Sequence, residues 1–172
     1  MRRLPQKRRR KQDLRLTRRR GPKPVRKMKT VSIEEGKNRE MGKYLERAKE
    51  LRNDPDVHYN CAQAVLAAFG PDAGLPEEAA CRITANFGSG MKMGETCGAV
   101  TGGLMALGLY GIEEGATVGG FCRAVRENHS GCLNCRDLLR MNREAGRPQK
   151  PHCDDMVYEC TALVEQILQE KK

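Results

Sequence analysis

The sequence has no tryptophan, and aromatic residues make up only 4% of its 172 positions. It also has no apolar run near the roughly 20 residues that a helix needs to span a bilayer, which excludes an evident transmembrane helix. No stretch alternates polar and apolar residues for long enough to predict a strand. We therefore expect a core of Ala, Leu, Val and Met packed between helices.

Positive charge is concentrated near the N-terminus. Residues 1–40 contain 17 Lys and Arg against 4 Asp and Glu, whereas residues 41–172 contain 15 against 18. The basic isoelectric point of the chain therefore comes from an N-terminal tail, whereas the rest of the chain is mildly acidic. No aromatic or groove-reading motif accompanies the basic residues, so we expect no nucleic-acid function beyond non-specific polyanion binding by the tail.

Composition divides the chain into two parts. Residues 1–34 are predicted to be a disordered basic tail, because so few apolar residues cannot offset the chain entropy. A later translation start, at Met28 or Met41, is an equal alternative for this segment. Residues 35–172 are predicted to form a single helical, cysteine-rich domain. The twin-arginine clusters have no hydrophobic region after them, so we expect a cytoplasmic protein.

Helical periodicity dominates residues 35–172 and predicts an all-α fold, a compact bundle of about six helices with short loops. Proline and glycine mark several ends, as at Pro55 and at Gly70-Pro71. The predicted helical segments are 35–53, 60–69, 76–87, 97–110, 114–128, 134–144 and 152–170.

Eight cysteines in a reducing compartment favour metal binding or redox chemistry over a disulfide framework. Four of them fall at predicted helix N-termini, where unpaired backbone N–H groups and the helix dipole lower a thiol pKa. Nearby carboxylates such as Glu95 and Asp154 act in the opposite direction, and the sequence leaves the balance open. The four cysteines are Cys61, Cys97, Cys135 and Cys153.

Residues beside these cysteines match helix caps. Asn60 and Gln63 form an Asn-x-x-Gln pattern that resembles a capping box, with Cys61 as the first helical residue. Thr96 is predicted to cap a helix that begins at Cys97, and Asn134 is predicted to cap one that begins at Cys135. Cys153 follows Pro151-His152 and precedes two aspartates, which also indicates a first turn.

The remaining cysteines have other expected roles. Cys81, Cys122 and Cys160 lie inside predicted helices, where we expect small buried hydrophobic residues. Cys132 and Cys135 form a C-x-x-C pair. This pair fits a redox couple or half of a zinc site completed by residues near Cys153, although a second C-x-x-C is missing.

Small residues follow Cys97 at three- and four-residue spacing. Each glycine inside a helix costs about 1 kcal/mol relative to alanine, so we expect a compensating close approach by another helix or a ligand. Gly98, Ala99 and Gly102 are accordingly candidates for cofactor contact, and the helix that carries Cys61 is a candidate neighbour.

Together, Cys61, Cys97-Gly98-Ala99-x-x-Gly102, Cys135 and Cys153 resemble the C_GCAxxG_C_C family, which is named for its cysteines. The stretches YNCAQAVL, ETCGAVTGGLMALGL and NCRDLL are similar to it as well. The resemblance covers about residues 41–170. It implies a small helical protein with thiol redox chemistry and supplies no substrate.

Three functional hypotheses remain open. The first is a thiol redox protein in which Cys97 or Cys61 attacks a disulfide or oxidant and a second cysteine resolves the product, with a redox protein or a small thiol as partner. The second is a metal or iron–sulfur module whose ligands are Cys61, Cys97, Cys135 and Cys153, with Cys132 as an additional candidate. The third is a helical scaffold with structural cysteines. Sulfurs in separate pairs would favour the thiol redox hypothesis. Four sulfurs around one centre would favour the metal hypothesis.

Overall fold

The structure is a computed structural model that describes residues 42–171. Within this range the chain forms seven α-helices and no strand, which confirms the all-α prediction and slightly exceeds the predicted number of helices. The predicted basic tail lies outside the described residues, as does the start of the helix predicted from residue 35. The helices are α1 (Lys43–Arg52), α2 (Cys61–Phe69), α3 (Glu77–Thr84), α4 (Gly98–Leu109), α5 (Gly115–Asn128), α6 (Cys135–Glu144) and α7 (Gln149–Glu170).

Helix α2 lies at the centre of the molecule. Seven of its nine residues are buried, and a helix that is apolar on all sides is stable only in the interior. Helices α1, α3, α4 and α7 pack around it. The largest fully buried side chains include Phe69 at the end of α2 and Phe121 of α5. None of the helices in the described range is long and apolar enough to cross a lipid bilayer.

Helix α4 approaches α2 so closely that side chains are excluded from the contact. A Cβ atom added at Gly102 would lie 2.9 Å from the carbonyl oxygen of Ala62 and 3.0 Å from Cβ of Val65. One added at Gly98 would lie 3.2 Å from Cβ of Cys61. The expected close approach is therefore confirmed, and the neighbouring helix is the one that carries Cys61.

Several helix boundaries differ from the predictions. Helix α4 begins at Gly98, and Cys97 is its N-cap rather than its first residue. Helix α7 begins at Gln149, so the prediction that Cys153 lies in the first turn of its helix is wrong. Pro151 is the third residue of α7, a position where the missing N–H has no acceptor within the helix. Proline there is compatible with the first turn, and the helix begins before it.

The contact between α2 and α4 predicts opposite effects of alanine at two glycines of the same helix. Gly102→Ala places a methyl group against the backbone of Ala62, and we expect it to lower the free energy of unfolding by about 1–3 kcal/mol. Nothing lies within 4 Å of a Cβ added at Gly108, so Gly108→Ala should raise it by about 0.5–1 kcal/mol. Urea denaturation measures both changes. Equal stabilisation by the two substitutions would contradict the close contact.

Candidate functional site

The four cysteines predicted at helix starts line one cavity. Its volume is about 380 Å³, and Cys61, Cys97, Cys135 and Cys153 all contribute to its wall. Cys97 is buried, whereas the other three are partly exposed. The sequence analysis singled out these four residues as cysteines at predicted helix starts. In the structure they come from α2, α6, α7 and the start of α4, and they line the same cavity.

Cys61 is held by a complete helix cap. Oδ1 of Asn60 accepts hydrogen bonds from the backbone amides of Ala62, at 2.9 Å, and Gln63, at 3.0 Å. The Gln63 side chain accepts one from the amide of Asn60 at 2.8 Å, which completes the capping box. Cys61 is therefore the first residue of α2, as predicted, and its position is set by a rigid turn.

A short antiparallel pairing holds Cys97 beside Cys135. Thr96 lies opposite Asn134. The amide of Cys97 donates to the carbonyl of Leu133 at 2.8 Å, and the amide of Cys135 donates to the carbonyl of Glu95 at 2.7 Å. Cys97 follows Thr96, and Cys135 follows Asn134. In an antiparallel pairing, residues in these two positions project to the same face and are diagonal neighbours, about 7–8 Å apart. Two backbone hydrogen bonds thus join the starts of α4 and α6.

The loop before this bridge has an unusual backbone. Ser89, Gly90, Met91 and Lys92 all have positive φ angles, between 54° and 61°. Left-handed conformations cost non-glycine residues roughly 1–2 kcal/mol each. The loop closes tightly on α6, because a Cβ added at Gly90 would lie 2.9 Å from Cβ of Cys135. The strained backbone therefore lies at the wall of the cysteine cavity. Strained residues are often found at functional sites.

Cys153 pairs with Cys61 across the cavity. A hydrogen bond between their thiols is the largest cause of the strongly raised pKa of Cys153, and burial is the second. A charge on Cys153 would lie next to the Cys61 sulfur, which makes its proton hard to remove.

The net effect on the pKa of Cys97, which the sequence leaves open, is an increase. Burial raises the pKa of Cys97 to about 11, and the amides of Ala99 and Val100 offset only part of this shift. The pKa of Cys135 is also raised, by burial and then by Cys153. Desolvation of the charged form thus outweighs the helix N-terminus at both positions.

Two basic side chains also line the cavity and share one carboxylate. Arg52 Nε lies 2.7 Å from Asp154 Oδ1, and Lys150 Nζ lies 2.8 Å from Asp154 Oδ2. The Arg52 side chain is only 6% exposed, so this ion pair fixes the end of α1 against α7. Sequence reasoning missed Arg52, because its partner lies 102 residues away and no local pattern indicates the pairing.

The other predicted site residues lie at different distances from the cavity. Gly98 lines it, whereas Ala99 and Gly102 are buried inside the bundle and do not line it. Cys132 lies outside the cavity wall, where it packs against the hydrophobic core and its thiol makes a weak 4.0 Å contact with the carbonyl of Ser130. Across residues 42–171, no three Cys, His, Asp or Glu side chains are grouped in a way that could hold a metal ion.

The cysteines inside helices behave largely as predicted. Cys160 is fully buried, and burial raises its pKa well above the usual value. Cys81 and Cys122 are partly buried and pack against the hydrophobic core. These three residues do not line the four-cysteine cavity.

A family model described as "Putative redox-active protein (C_GCAxxG_C_C)" matches residues 59–167, which is more than half of the chain. The chain belongs to the C_GCAxxG_C_C family. The match includes all four cavity cysteines and confirms the resemblance found in the sequence. No curated protein and no solved structure matches the chain significantly.

The raised pKa of Cys97 predicts a loss of stability in alkali. In the unfolded chain this thiol ionises near its usual pKa of 9.0, whereas in the folded protein it keeps its proton until about pH 11. The unfolded state therefore loses the proton first, and the free energy of unfolding falls as pH rises from about 9 to about 11. Cys97→Ala should remove up to about 3 kcal/mol of this fall.

Urea denaturation at several pH values between 8 and 11 measures the effect. Cys132→Ala is the matched control, since Cys132 lies outside the cavity, and its curve should follow the wild type. A Cys97→Ala curve with the wild-type slope would show that Cys97 is not a buried neutral thiol.

Proposed function

We propose that this member of the C_GCAxxG_C_C family carries out thiol–disulfide exchange through Cys61 and Cys153. The observation that carries the proposal is the hydrogen bond between their thiols, at the wall of a cavity that Cys97 and Cys135 also line. The membership of the chain in a family described as redox-active supports it. The partner would be a small thiol or a redox protein.

Cys61 is the attacking thiol in this proposal. It is the first residue of α2 and partly exposed, and an anion on its sulfur would face both the positive end of the helix dipole and the S–H of Cys153. Cys97 is less suited to attack, because it is buried and its pKa is about 11.

Cys153 then acts as the resolving thiol. The Cys61 thiolate attacks one sulfur of a substrate disulfide, and the other half of the substrate leaves as a thiolate that takes up a proton. After losing its own proton, Cys153 attacks the Cys61 sulfur and releases the second half. Two protein thiols are oxidised to one disulfide, while one substrate disulfide is reduced to two thiols.

Cys97 and Cys135 form a second pair in the same cavity. Their backbones are joined by the Thr96–Asn134 bridge, and the charge of each thiolate would raise the pKa of its neighbours. We propose that this pair exchanges with the Cys61–Cys153 disulfide, which would let the cavity store a second pair of electrons.

The metal hypothesis uses the same four residues but has less support. A tetrahedral site needs sulfur ligands that all approach one point, at about 2.3 Å for zinc, and no such group exists in the described part of the chain. We expect elemental analysis of anaerobically purified protein to find no stoichiometric metal. Four thiolates bound to one equivalent of zinc or iron would favour the alternative.

Oxidation of the purified protein tests the proposed pair. We expect a stoichiometric amount of diamide to form a reversible Cys61–Cys153 disulfide, detected as the loss of two hydrogens by intact mass and located by peptide mapping. Cys61→Ser and Cys153→Ser should each abolish it. Cys122→Ser, which alters a partly buried cysteine outside the cavity, is the matched control and should leave it intact. Four thiols that never form a reversible disulfide would overturn the proposal.

A further inference from the structure

A second cavity lies beside the four-cysteine cavity. Its volume is about 250 Å³, and it shares Cys135 and Leu139 with the first. Together the two have a size typical of sites for small molecules, roughly 300–1,000 Å³. The shared lining residues place the two cavities next to each other.

The basic residues that line the second cavity are paired with carboxylates less completely than those that line the first. No carboxylate residue of the described chain lines either cavity, although residues 41–172 have more acidic than basic residues. Arg52 and Lys150 both pair with Asp154 near the cysteines. The second cavity is lined instead by Arg136, which lies 3.9 Å from Glu95, and by Arg143.

Arg143 has no ion-pair partner among residues 42–171. It lies on α6 and is exposed at the rim of the second cavity. A guanidinium group presents paired N–H donors that match the geometry of a carboxylate. The charge at this rim is therefore complementary to a small anion.

An unmatched hydrogen-bond acceptor lies at the same cavity. Asn142 lines the wall and is 1% exposed. Its amide nitrogen donates to the carbonyls of Arg147, at 2.9 Å, and Pro148, at 3.1 Å. Oδ1 of Asn142 accepts no hydrogen bond from any described residue. An unsatisfied buried acceptor is unfavourable, and an N–H group of a ligand would supply the missing donor.

We propose that the second cavity binds the carboxylate end of a small disulfide that also carries an amide N–H group. The carboxylate lies at Arg136 and Arg143, the N–H group donates to Asn142, and the disulfide extends past Cys135 into the four-cysteine cavity. This inference rests on the proposed thiol–disulfide exchange and names its substrate class. The reaction is the exchange described above, in which Cys61 and Cys153 are oxidised and the substrate is reduced to two carboxylated thiols.

Two synthetic disulfides that differ mainly in charge test this inference. N,N′-Diacetylcystine carries a carboxylate and an amide N–H group on each half, whereas its bis(methylamide) keeps the N–H groups and is neutral. The rate constant for oxidation of the reduced protein is measured with each at low ionic strength. Each value is divided by the rate constant of the same disulfide with 2-mercaptoethanol, which corrects for intrinsic reactivity.

We expect the corrected rate constant to be roughly tenfold higher for the anionic disulfide, as is typical of electrostatic guidance. The double variant with Arg136→Gln and Arg143→Gln should bring the two corrected values close together by lowering the rate constant with the anionic disulfide. Arg140→Gln is the matched control on the same helix, because Arg140 pairs with Asp137 and does not line the cavity. It should keep the preference.

The outcomes separate the two proposals. Equal corrected rate constants for the two disulfides, or a preference that survives the double variant, would overturn the assignment of the second cavity and leave the exchange reaction standing. A reduced protein that reacts with neither disulfide would overturn the proposed exchange and, with it, this substrate class.

Discussion

The positions of three of the four cavity cysteines, Cys61, Cys97 and Cys135, depend on how closely α4 approaches α2. Gly98 and Gly102 leave no room for a side chain between the two helices, so the start of α4 lies directly against Cys61. The bridge at Thr96 and Asn134 then ties the start of α6 to the start of α4, which places Cys135 beside Cys97. Larger residues on this face of α4 would move Cys61 away from the other sulfurs.

Convergence of four thiols also determines their electrostatics. Cys97, Cys135 and Cys153 are partly or fully withdrawn from water and lie near other sulfurs, and both effects oppose their ionisation. The pKa values of Cys97, Cys135 and Cys153 are raised for these reasons. A helix N-terminus is therefore not sufficient to make a cysteine reactive. In the proposed exchange the attacking thiol is Cys61, which is partly exposed and has the S–H of Cys153 as its neighbour.

Local signals predicted most of the fold and the members of the site. Helix α2 was predictable because Asn60 and Gln63 cap its start and Gly70-Pro71 ends it, all within one short stretch. Interactions between distant residues were not predictable, since neither the bridge at Thr96 nor the Arg52–Asp154 ion pair has a local pattern. The direction of the pKa shift at Cys97 was not predictable, because it depends on burial, and the sequence around Cys97 does not specify how the helices pack.

The central claim is that the four cysteines meet in one cavity, where the thiols of Cys61 and Cys153 are hydrogen-bonded to each other. A crystal structure of the reduced protein, with anomalous scattering recorded to locate sulfur and any metal, tests this most directly. The account predicts four sulfurs around a single cavity, the shortest separation between Cys61 and Cys153, and no metal peak among them. Sulfurs in separate parts of the molecule, or four equidistant sulfurs around one metal peak, would contradict it.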